Sequence, residues 1–236
     1  GLKWLKESLK KRFEIKTQCI GPTFAKSSEA VGAGTGPGPA PTTAHGEAMV
    51  EGAEGRLLNR IIRCTQKGWE IEPDQRRADL IVKELNLEDA KEVITPGEKD
   101  PKGKEVDSEE ALSPEQSTRY RGIVARANYL AADRPDIMYA TKELCRGMAA
   151  PTSVMWHRLK RLGRYLVGNS RTVLEYDWQS HEAEVTGYSD SDWAGCRVTG
   201  RSTSGGALMI RGHFRMGWSR TQNHVTMSSV EAELVA

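Results

Sequence analysis

Leu2, Leu5, Leu9 and Phe13 recur at the spacing of one helix face, with lysines on the other side. The pattern predicts an amphipathic helix ending near Lys16. From Gly21 to Gly55 the chain turns to Gly, Ala, Pro, Thr and Ser. That composition offers too little apolar surface to offset the entropy of ordering, so 21–55 is expected to be a disordered insertion. Order resumes at Arg56. LLNRIIRCT followed by WEIEP reads as a hairpin, with Leu58, Ile61 and Ile62 as its apolar strand and Lys67-Gly68 as its turn. Asp74 is placed to cap a helix from Gln75 to about Leu87, whose Ala78, Ile81 and Leu85 share a face. Pro96-Gly97 ends that unit.

A polar, acidic linker covers 98–116. Beyond it, Tyr120, Ile123, Val124, Ala127 and Leu130 form one helical stripe. Pro135 suits the first turn of a second helix carrying Ile137, Ala140, Leu144 and Met148. Pro151-Thr152 breaks the pattern, and Met155, Leu159, Leu162 and Leu166 mark a third helix that closes at Gly168. After Thr172 the period becomes two. VLEYDW reads as a strand, then 180–184 as an acidic connector. Three further strands are expected at 185–193, 204–211 and 213–220, with Gly212 at the last turn. Ser228 and Glu231 have the spacing of a capping box for a closing helix. The expected class is therefore α/β (α+β): a helical connection block, 117–178, and a truncated sheet domain, 179–236. Before them lie a basic helix, 1–20, and a hairpin-helix unit, 56–97.

Composition adds little to this. The 236 residues are 38% hydrophobic and 28% charged, with a formal net charge of +2. No apolar run reaches the ~18–20 residues of a membrane span, so no membrane partner is expected. No secretory leader is visible, and an intracellular place, in a cytoplasmic particle or the nucleus, is expected. Charge distribution says more. Residues 1–20 hold six basic side chains against two acidic ones, and 151–174 hold five basic ones and no acid. Arg158, Lys160, Arg161 and Arg164 gather on the third helix and are candidates for contact with a polyanion. Cys19, Cys64, Cys145 and Cys196 are scattered without zinc spacing, so free thiols are expected.

Asp190 and Asp192 stand two apart at the end of a strand, and Glu231 and Glu233 open the helix two strands later. Such carboxylates brought together suit a hard divalent cation. Local roles already account for two of them: Glu231 by capping, Asp192 by a turn at Trp193-Ala194-Gly195. Asp190 and Glu233 have no such local role.

YSDSDWAG (188–195), RSTSGG (201–206) and WSRTQNHVTMSSVEAELVA (218–236) resemble, in order and spacing, the ribonuclease H domain of copia-type LTR retrotransposon Pol polyproteins. YRGIVARANYLAADRPDIMYA (120–140) and WHRLKRLGRYLVG (156–168) are similar to the segment that precedes that domain. LLNRIIRCTQKGWEIEPDQ (57–75) with VITPG (93–97) resembles the end of the reverse transcriptase region. The 21–55 stretch departs from the family pattern. The resemblance implies a ribonuclease-H-like fold and cleavage of the RNA strand of an RNA–DNA hybrid with Mg²⁺ or Mn²⁺. It implies Asp190 and Glu233 as catalytic metal ligands, with Asp192 as a further candidate. It implies nucleic acid and the rest of the polyprotein as partners. The family's further ribonuclease H acids follow the helix at Ser228, and its Tyr-x-Asp-Asp polymerase motif precedes the first helix; neither occurs here. The chain is accordingly expected to be a fragment with both active sites incomplete. The alternative is a non-catalytic, nucleic-acid-binding remnant or a host-retained relic.

Overall fold

The computed structural model describes residues 2–14, 20–21, 53–98, 110–179, 184–196 and 198–236. Most of the expected disordered insertion, most of the acidic linker and part of the 180–184 connector lie outside the described residues. The chain divides into two units, Gly1–Ile71 with Glu175–His181, and Glu72–Leu174 with Glu182–Ala236. Among the described residues no helix is long and apolar enough to cross a membrane.

The first unit holds α1 (Leu2–Lys10) and an antiparallel sheet of β1 (Glu54–Leu57), β2 (Arg60–Cys64), β3 (Gly68–Glu72) and β4 (Leu174–Asp177), in the order β1-β2-β3-β4. Trp4, Leu5, Leu9 and Phe13 of the first helix and its C-terminal extension are exposed. The hairpin differs from the sequence expectation. Leu58 and Asn59 form a two-residue turn, both with positive φ (51° and 65°), and Leu57 pairs with Arg60. Such a turn matches strand twist, and Asn tolerates the left-handed region. Leu58 therefore lies in the turn, exposed, and the strand before it begins inside the stretch expected to be disordered. The second turn falls where expected: the Thr65 hydroxyl accepts from the Lys67 and Gly68 amides. Gly68 is required by β4, because a Cβ there would collide with the Tyr176 carbonyl. Trp69 and Trp178 meet edge to face, 6.2 Å between centroids.

The second unit is built on α2 (Gln75–Glu84), α3 (Pro114–Ala131), α4 (Pro135–Arg146) and α5 (Ser153–Gly168). Ala78, Ile81, Tyr120, Ile123, Val124, Ala127, Leu130, Ile137, Leu144, Leu159, Leu162 and Leu166 make one buried cluster. Each large aliphatic residue so buried contributes about 1.5–3 kcal/mol. α3 starts earlier than the apolar stripe predicts. Ser113 and Gln116 form a reciprocal capping box, with Pro114 in the first turn. Asp74 sits at the N-cap of α2 but makes no cap bond; its carboxylate pairs with the Arg76 guanidinium instead. Arg134, at the α3–α4 junction, is 1% exposed. It grips Asp136 with two bonds and donates to the Asn169 and Ser170 carbonyls, tying α4 to the end of α5.

The same unit carries an antiparallel sheet of β5 (Val185–Asp192), β6 (Thr203–Ile210) and β7 (His213–Thr221), closed by α6 (Ser229–Val235). Arg211 and Gly212 supply the positive-φ turn between β6 and β7. Gly206 opposes Trp218, whose ring occupies the space a Cβ would need.

Candidate functional site

Asp190 and Asp192 lie at the end of β5, opposite Gly205 and Thr203 of β6. Alternation along the strand gives the two aspartates one face and Ser191 the other. The aspartate face is the one that meets α4. The Thr203 hydroxyl, on that face, accepts from Lys142 of α4 at 2.9 Å. The Asp192 charge also reaches Tyr139 of α4, whose hydroxyl is pushed up mainly by burial and further by Glu143 and Asp192. Between α4 and the sheet lies a cleft of about 570 Å³, lined by Tyr139, Asp190, Asp192, Gly205 and Phe214 among others. The Asp192 carbonyl accepts from the Gly195 amide, so the turn expected at this aspartate is present.

Glu233 approaches from the other element. Its Oε1 accepts from both the Ser191 amide (3.2 Å) and the Ser191 hydroxyl (2.9 Å). Glu233 thus meets β5 on the face of Ser191, opposite the face that Asp190 and Asp192 turn toward α4, so the expected pair of ligands, Asp190 and Glu233, is not brought to one side of the sheet. Glu231 remains a capping residue: its amide donates to Ser228 Oγ, and its carboxylate accepts from the Met227 amide. That is one residue earlier than the capping-box pattern anticipates.

The residues that hold α6 in this place were not singled out from sequence. Gln222 is 5% exposed, and its amide donates to Ser204 Oγ on β6 and to the Ala232 carbonyl on α6. Ser202 and Thr226 share a buried hydroxyl bond. Trp193 is half exposed, and its indole N–H donates to the Thr226 carbonyl. A sequence signal existed only in retrospect: a polar run, TQNHVT, between two elements.

The basic helix is less free than its charge suggests. Arg161 donates to Glu98 Oε2 (2.8 Å) and Thr95 Oγ1 (2.9 Å), and Arg164 donates to the Lys91 carbonyl (2.7 Å). Arg158 is half-buried and lies 3.9 Å from Met155 Sδ. Lys160 is exposed.

Near the sheet, Arg146 donates to Cys196 Sγ at 2.7 Å. Burial pushes this thiol up, but bonds from Thr199 and Arg146 outweigh it and bring the pKa down to about 7. Cys64 and Cys145 are also free thiols, both raised by burial.

No family model and no solved structure matches the chain. Curated proteins do. Over 161 residues it is 37% identical to the retrovirus-related Pol polyprotein from transposon RE2 of Arabidopsis thaliana, covering 67% of this chain and 11% of that protein. The corresponding polyprotein from transposon RE1 of the same plant is 38% identical over 162 residues, with the same coverage. The polyprotein from transposon TNT 1-94 of Nicotiana tabacum is 27% identical over 185 residues, 74% of this chain and 13% of that protein. The chain belongs to the retrotransposon Pol polyproteins. It spans about a tenth of the length of the two Arabidopsis Pol polyproteins.

For a Pol segment the question is whether these side chains suit a divalent ion. The donors at the end of β5 and on α6 are carboxylate oxygens, the hard ligands that Mg²⁺ takes, and Mg²⁺ is commonly held by one or two of them with water. Asp190 is exposed, and Glu233 uses only Oε1 on Ser191. Among the described residues, no three His, Cys, Asp or Glu side chains are placed to share an ion. With Asp190 and Asp192 on one face of β5 and Glu233 on the other, the described residues offer no common donor set for a pair of ions.

Proposed function

We propose that this segment serves a Pol polyprotein that copies RNA into DNA and cuts the RNA strand of the resulting hybrid. Asp190 and Glu233 are the acids it contributes to the cutting site, which takes Mg²⁺ or Mn²⁺; Asp190, with Asp192 beside it, faces α4, and Glu233 lies on the Ser191 side of β5. The supporting observation is that α6 delivers the Glu233 carboxylate to β5, the strand that carries Asp190 and Asp192. A bound divalent ion supplies Lewis-acid stabilisation of the phosphodiester and an activated water. The chain's own task is placement. Gln222 and the Ser228 cap fix α6, and Ser191 fixes one oxygen of Glu233. Lys160, with Arg158, Arg161 and Arg164 beside it, contacts hybrid phosphates. Such contacts position a duplex without reading its sequence, and the hybrid is recognised by shape and 2′-hydroxyls.

The test is cleavage of labelled RNA in a hybrid, with Mg²⁺, by the polyprotein that carries this segment. Asp190→Asn and Glu233→Gln should each lower the rate by about a hundredfold or more. Unchanged rates in both variants reject the assignment. Hybrid binding with no cleavage by the unmodified protein supports the non-catalytic remnant instead.

A further inference from the structure

The segment after α2 runs along α5 in the opposite chain direction. Glu92 packs where a Cβ on Gly168 would sit, the Lys91 carbonyl takes Arg164, and Thr95 and Glu98 take Arg161. Residues 91–98 therefore form a strap over the basic face.

We propose that Glu98 stands where a backbone phosphate would bind, so that the strap competes with a nucleic-acid duplex for Arg161. This rests on the reading of α5 as the nucleic-acid face. A carboxylate and a phosphate offer a guanidinium the same kind of oxygen pair. The Glu98 side chain is 68% exposed, so its ion pair is screened and exchangeable. A duplex releases counterions when it takes the same cation, a gain that Glu98 cannot match. The strap also has anchors that survive the exchange: Arg161 on Thr95 and Arg164 on the Lys91 carbonyl. Glu98 thus acts as a built-in competitor that sets a threshold on hybrid affinity.

The experiment measures binding of a short RNA–DNA hybrid to the full chain across a salt series. Glu98→Gln should tighten binding about three- to tenfold at low salt and steepen the log–log salt slope by about 0.7–0.9, one phosphate contact. Asp79→Asn, which removes an exposed acid from α2, controls for net charge. Arg161→Gln should weaken binding, and adding Glu98→Gln to it should gain no more than the control. If Glu98→Gln matches Asp79→Asn, or gains equally with Arg161 removed, the competition is refuted while α5 keeps its role. If neither the unmodified chain nor Glu98→Gln binds hybrid at low salt, the α5 reading itself falls and takes this inference with it.

Discussion

Two side chains show how local charge is managed. Burial alone would raise the Asp136 carboxyl, but the Arg134 guanidinium and the Tyr165 hydroxyl outweigh it and hold it below the usual range. The folded pKa lies below the unfolded one. Its stabilisation is therefore complete above the ordinary carboxylate value, about 4, and is lost as pH falls through the lowered folded value. Denaturant titrations at descending pH should show that loss, and Arg134→Gln should abolish it. That substitution takes the guanidinium from a partly exposed carboxylate and from two carbonyls, so it should cost about 1–3 kcal/mol. Cys196 behaves in the same sense. With its pKa near 7, its contribution is complete above the ordinary thiol range and fades as pH falls through about 7. Thiolate absorbance should rise with a midpoint near 7, and Arg146→Gln should move that midpoint upward. A midpoint unchanged by the substitution would show that the Arg146–Cys196 bond is not the cause.

Among the elements, helices were legible because their information is local. The stripes around Tyr120, Ile137 and Leu159 each name a face that is buried, and Pro135 marks its helix start correctly. Helix starts set by side-chain bonds were harder to read. Asp74 offers a cap but finds Arg76 nearer, while Ser113 caps α3 from within a stretch that looked like linker. Ser113→Ala should lower stability by about 1 kcal/mol, measured by thermal or denaturant unfolding. A loss well under half of that would mean that Pro114 and the acidic first turn suffice. The Leu58-Asn59 turn was missed because it lacks the glycine that usually announces such turns. At the candidate site, Asp190 and Glu233 were visible as acids without a local use, and Asp192 as the start of a turn. Ser191, Gln222 and Trp193 were not, because nothing within their own elements distinguishes them; only the pairing of β5 with β6 and the return of α6 reveals their work.

At the scale of the whole molecule, VLEYDW was recognised as a strand, but its partner was out of reach of any local pattern. It joins β3, more than a hundred residues earlier in the chain, and not the sheet that follows it. Sequence periodicity carries no address for a pairing of that span. The two basic regions seen in the sequence likewise have different standing. The one on α5 is partly committed to the strap, whereas the N-terminal one lies on a helix of the first unit.

The late arrival of β4 has a consequence for synthesis. While the ribosome is still making the helices, β3 presents a bare row of amides and carbonyls with no neighbour on that side. Open rows of this kind invite pairing with foreign strands. The growing chain thus carries this open edge over the interval between Glu72 and Leu174, and Leu174–Asp177 close it.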